Sequence, residues 1–166
     1  MKKAFLVTTV LFVVDAMLQV YLAAFGTFGM EAGDDTAFSA HGINGQIVLR
    51  VLALAMIVFA ALARAGKRTI WMTVTVFLLT VLQLLIFILT GVIFGVGPES
   101  STVPLPAMLT VSLHGLNGAL IIVLGVALFF RARKLVREGS PQQAAASTTA
   151  TATPEVAQST QPSSVA

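Results

Sequence analysis

Four long apolar runs, at roughly residues 4–25, 41–63, 69–95 and 106–130, limit what this chain can become more than any other feature. At ~1.5 Å of rise per residue, each is long enough to carry an α-helix across a ~30 Å hydrocarbon core. Inside a bilayer the backbone must satisfy its own hydrogen bonds, and a helix does so within one segment. The 166 residues are 57% hydrophobic and 10% charged, with a mean hydropathy of +0.92, a balance foreign to soluble domains. The expected fold is all-α and integral to the membrane: an up-down four-helix transmembrane bundle over residues 1–137.

Basic residues orient the bundle. Lys2 and Lys3 precede the first run, Arg64, Lys67 and Arg68 fill the connection between the second and third, and Arg131, Arg133, Lys134 and Arg137 follow the fourth. The other two connections carry Glu31, Asp34, Asp35 and Glu99 and no Lys or Arg. Because basic residues near helix ends stay on the cytoplasmic side, both termini are expected in the cytoplasm, in a multi-pass protein of the cell membrane. Tyr21 and Trp71, near helix ends, suit interfacial anchors.

The first run also has the outline of a secretory signal, with Leu22-Ala23-Ala24 as its cleavage site. Its length and the enclosed Asp15 and Gln19 favour a spanning helix. Residues 138–166, rich in Ser, Thr, Ala, Gln and Pro, are expected to form a disordered cytoplasmic tail. The chain has no cysteine, which removes disulfides, thiolate metal sites and thiol catalysis. No basic patch with interleaved aromatics exists, so the expected partner is the lipid bilayer and not a nucleic acid.

Within this frame one pentapeptide occurs twice. HGING begins at residue 41 and HGLNG at residue 114, and His41 and His114 are the two histidines of the chain. The second and fourth runs align at a shift of 73, and the first and third at a shift of 64, which pairs Thr9 with Thr73 and Gln19 with Gln83. The chain reads as a duplicated helical hairpin, both copies oriented alike, with a pseudo-twofold along the membrane normal. Short connections make consecutive helices neighbours, so the second and fourth helices lie on a diagonal. Across an antiparallel pair, residues at one depth have numbers of constant total. On that basis His41 and His114 fall within ~3 Å of one level.

Two histidines level with each other on diagonal helices suit a flat cofactor bound through both faces, and haem iron with two axial imidazoles is one. Gly42, Gly45, Gly115 and Gly118 would let a macrocycle edge approach the backbone, while Asn44 and Asn117 would hydrogen-bond an imidazole, a propionate or the opposite helix. The same residues are also ordinary devices for packing membrane helices. Zinc lacks further ligands here, and copper would need Met30 or Met108. The outer connections hold no basic residue to meet propionates.

A second polar layer is expected below the histidines. Asp15 and Arg50 are ionisable residues inside apolar runs, where such groups usually pair. Their numbers, like those of Gln19 and Gln46, match at one depth, and Gln83 falls level with Arg50. A register-fixing ion pair is the favoured reading, over a relay or a quinone headgroup site. Arg50, nine residues past His41, would face ~180° away from it on a regular helix.

A Gln on the first helix, HGxxG at the start of the second, a Gln on the third and a second His-Gly on the fourth resemble an uncharacterised family of small four-helix prokaryotic membrane proteins, over about residues 4–137. The architecture is also similar to one half of haem A synthase, which implies a bis-histidine site at His41 and His114. That synthase has a Glu and an Arg in ExxHR where this chain has Phe38 and Gly42, so its oxidation of haem does not carry over. The function expected is a bis-histidine, b-type (heme b) cytochrome-like protein passing electrons to a redox partner, a quinone or a larger membrane complex. The alternatives are a cofactor-free accessory or scaffold subunit and, third, a small-solute transporter. No catalytic residue is expected: neither histidine has an acidic residue at helical spacing.

Overall fold

The computed structural model of the protein describes residues 1–97, 100 and 102–138. It contains four long helices: α1 (Lys2–Glu31), α2 (Ser39–Leu62), α3 (Lys67–Phe94) and α4 (Leu105–Glu138). All four are long and apolar enough to cross a membrane. Most of their large side chains face outward, Val14, Val51, Leu78 and Val123 among them, as a bilayer solvent requires. Tyr21 and Trp71 are likewise exposed. Helices α1 and α4 run several residues beyond the expected apolar stretches, because the backbone ladder continues after the hydrophobicity ends. In the last turn of α4, Lys134 and Glu138 form an i, i+4 ion pair at 3.6 Å. The tail expected to be disordered lies, from residue 139, outside the described residues, as does Glu99.

Each helix packs on its predecessor and α4 returns to pack on α1, so α1 faces α3 and α2 faces α4 across the diagonals. A tight turn joins α2 to α3, with Gly66 at φ +84° and Arg64 at φ 51°. Gly95, at φ +63°, ends α3 in a left-handed cap. Met1, this turn and Glu138 share one end, called here the basic end. Glu31, Asp34 and Asp35 mark the opposite, acidic end.

The dense core occupies the half nearer the basic end. Phe5, Phe12, Met56, Val76 and Leu128 are fully buried there, separated by Ala53, Ala60 and Ala132. A Cβ on Gly125 would meet the Phe12 ring at 3.1 Å, so that glycine permits the α1–α4 approach. Buried threonines satisfy themselves locally: Thr9 and Thr73 donate to the Leu6 and Ile70 carbonyls, each at 2.7 Å. Past Ala16, Leu49 and Ile121 the core ends and the acidic half is less filled.

Helix α2 is not uniform. Residues Asn44–Val48 form a π-turn, in which the Leu49 N–H reaches back five residues to the Asn44 carbonyl. Below it the buried positions Leu49, Ala53, Met56 and Ala60 correspond to Ile121, Gly125, Leu128 and Ala132 of α4, an offset of 72 where the pentapeptides are offset by 73. Helix α2 therefore holds one extra residue between its pentapeptide and its core face. A π-turn absorbs such a residue without breaking the helix.

Candidate functional site

The diagonal brings the two histidines together. The rings of His41 and His114 lie with centroids 6.0 Å apart at 62° to each other, both partly buried. Phe38 meets the His41 ring edge-on at 6.0 Å, and Phe87 meets His114 at 4.8 Å. Neither phenylalanine was marked by the sequence reading as a partner of the imidazoles. Phe87 follows Gln83 by four residues and so continues its face one turn further out.

Each pentapeptide grips the glutamine of the preceding helix. Gln19 donates from Nε2 to the His41 carbonyl at 2.8 Å, and its Oε1 accepts from Asn44 Nδ2 at 2.9 Å. In the second hairpin Asn117 Nδ2 donates to Gln83 Oε1 at 2.8 Å and to the Leu79 carbonyl at 2.9 Å. The second glycine of each motif makes room for the amide: a Cβ on Gly118 would meet Gln83 Nε2 at 3.3 Å, and one on Gly45 would collide with Gln19 Nε2. Gly42 and Gly115 differ, since a Cβ there would meet nothing within 4 Å. The Asn residues thus bind the neighbouring helix, and Gly45 and Gly118 serve the glutamines.

His41 Nδ1 lies 3.1 Å from the Gln19 carbonyl oxygen, and its Nε2 lies 3.5 Å from Gln19 Nε2. A carbonyl can only accept, so Nδ1 carries the proton, and the Nε2 lone pair accepts from Gln19 Nε2 across the longer, 3.5 Å contact. His114 stands beside the Gln83 backbone, and its buried Nδ1 has no hydrogen-bond partner among the described residues.

Two cavities flank the pair. One, of about 90 Å³, opens between α2 and α3 and is lined by Gly42, Gln46, Arg50, Thr80 and both histidines. The other, of about 290 Å³, opens between α1 and α4 and is lined by Ala16, Gly115, Ala119, Ile122 and both histidines. Neither Met30 nor Met108 lines either one. Among the described residues no three His, Cys, Asp or Glu side chains gather, so imidazoles are the metal-binding groups that the site offers.

Residues 19–91 match a family of unknown function (DUF6220). The matched stretch includes the first pentapeptide, both glutamines and Arg50, and ends before His114. No curated protein and no solved structure matches the chain.

The second polar layer differs from expectation. Asp15 and Arg50 form no ion pair within 4.0 Å; among the described residues that contact is made by Lys134 and Glu138. Asp15 is buried against Asn44, and its Oδ2 has no hydrogen-bond partner among the described residues. Gln19 and Gln83 hydrogen-bond to the pentapeptides, and both line one cavity with Gln46 and Arg50.

The π-turn is the reason. With one residue absorbed, the nine steps from His41 to Arg50 rotate like about eight, or ~80° instead of ~180°. Arg50 therefore lines the cavity that the histidines share. Its counterpart in α4 becomes Ile122, where a constant shift of 73 points to Val123.

Proposed function

We propose that this protein is a membrane cytochrome-like electron carrier, holding one b-type haem between His41 and His114. The observation that carries the reading is the 6.0 Å separation of the two imidazoles across the bundle. Two imidazoles on opposite sides of one ion, at metal–nitrogen distances of about 2 Å, have ring centres roughly 6 Å apart. Three further features fit a porphyrin. The Gln19 carbonyl fixes the His41 proton on Nδ1, so that Nε2, held only by a long 3.5 Å contact with Gln19 Nε2, would be the ligand atom. His114 stands beside the backbone of Gln83, the counterpart of Gln19. The open space at Gly42 and Gly115 and the cavities on both flanks leave room beside the rings.

Held by His41 and His114, a haem would supply one-electron chemistry. The residues of the chain orient the imidazoles. The distribution of Lys and Arg supports cytoplasmic termini, and hence a site toward the extracytoplasmic side. The recurrence of the Gln–Asn–Gly grip supports descent of the two hairpins from one duplicated hairpin.

The test is the absorption spectrum of the protein expressed with adequate haem, before and after dithionite. Sharp reduced α and Soret bands, lost in His41→Ala and in His114→Ala, are expected. A folded, colourless protein overturns the reading. That outcome would favour a cofactor-free scaffold subunit, a reading supported by the same grip, which engages both nitrogens of His41 without any ligand.

A further inference from the structure

The two cavities beside the histidines are built from corresponding positions, yet their chemistry differs. Thr80 corresponds to Ala16 by the offset that relates Gln83 to Gln19; Gln46 corresponds to Ala119, and Arg50, once the π-turn is allowed for, to Ile122. Gln19, Gln83 and both histidines line the two cavities alike, but at these three positions the α2–α3 cavity adds a guanidinium, an amide and a hydroxyl where the α1–α4 cavity adds hydrocarbon.

Thr80 is satisfied by the Phe77 carbonyl at 2.7 Å. Arg50 is not: it makes no hydrogen bond or ion pair with a described residue, and its Nε is buried. Gln46 likewise has no partner there. A cation held within the apolar span without a counter-charge is costly, and such residues mark binding sites. Helical side chains lean toward the N-terminus of their helix, so Arg50 leans toward the histidine layer.

We propose that the α2–α3 cavity receives the carboxylate edge of the porphyrin, with Arg50 as counter-ion and Gln46 as a second donor, and that the α1–α4 cavity receives the apolar edge. The proposal rests on the haem reading above. It assigns the anion partner that the outer connections lack, and gives the π-turn a role: the extra residue turns Arg50 into the cavity. A two-faced, pseudo-symmetric site would thereby bind an asymmetric macrocycle in one orientation.

The test compares ferric protoporphyrin IX with its dimethyl ester, titrated into the full-length protein in detergent and read by the bis-imidazole Soret band. The unsubstituted protein is expected to favour the free acid by about tenfold or more, the scale of one charge-assisted hydrogen bond. In Arg50→Gln the preference falls to about twofold, and Arg50→Lys lies between, retaining charge without the planar fork. Equal affinity for the two porphyrins, with a bis-imidazole spectrum, overturns the Arg50 proposal and leaves the haem reading standing. Retention of the full preference in a folded Arg50→Gln overturns it too. Absence of a spectrum with either porphyrin overturns both. Should the Gln variant fail to fold, the acid–ester comparison in the unsubstituted protein decides alone.

Discussion

Gly45→Ala tests the grip between pentapeptide and glutamine, because the structure predicts unequal effects at two equivalent glycines. At Gly118 the added methyl would meet Gln83 Nε2 at 3.3 Å, a contact relieved by a shift of a few tenths of an ångström. At Gly45 it would collide with Gln19 Nε2, and the amide must leave. Departure breaks the bonds to the His41 carbonyl and from Asn44, at 2.8 and 2.9 Å.

Interhelical hydrogen bonds in membrane proteins average ~0.6 kcal/mol and reach ~1.7, so losing two costs about 1–3 kcal/mol. Gly118→Ala should cost less than about 1 kcal/mol. Unfolding in mixed detergent micelles, followed by circular dichroism, measures both. The decisive arm is a double-mutant cycle: in a Gln19→Ala background the collision is gone, and Gly45→Ala should then cost under about 0.5 kcal/mol. Equal costs at the two glycines, or an undiminished cost in the Gln19→Ala background, would refute the reasoning.

Other consequences follow from the same geometry. Since Asp15 and Arg50 are not an ion pair, the effects of Asp15→Leu and Arg50→Val on stability should add within about 0.5 kcal/mol; a coupling above ~1 kcal/mol would restore the pair. Phe87→Ala removes the edge contact on His114 and should cost about 0.5–1.5 kcal/mol beyond what Phe28→Ala costs at an exposed position. The hydroxyl and the backbone N–H of Thr36 hold the Asp34 carboxyl below the usual carboxylate range. The stabilisation is therefore present above the ordinary Asp pKa and lost as pH falls through the lowered one; melting measured against pH should lose this acid-side component in Asp34→Ala. Because the chain has no cysteine, single Cys substitutions at Asp35 and Lys67 give a clean topology assay. A membrane-impermeant maleimide should label the first in intact cells and the second only after permeabilisation, and the reverse pattern would invert the bundle.

The amino-acid sequence by itself determined the membrane class, the number of spanning helices and the cyclic order of the bundle. These depend on apolar runs of ~20 or more residues and on short connections, quantities visible along one dimension. It also brought His41 and His114 to one level, because depth on antiparallel helices follows from counting.

What counting could not supply was rotation. Asn44–Val48 is an unremarkable stretch, NGQIV, and its π-turn arises from packing: the pentapeptide must meet Gln19 while Leu49 and Ala53 meet the core, and one residue too many lies between. The helix absorbs the excess by widening one turn. Each residue beyond it then points ~100° away from its sequence-based direction. That single step separated Arg50 from Asp15 and put it beside the histidines. It is a tertiary decision, since the competing contacts come from other helices.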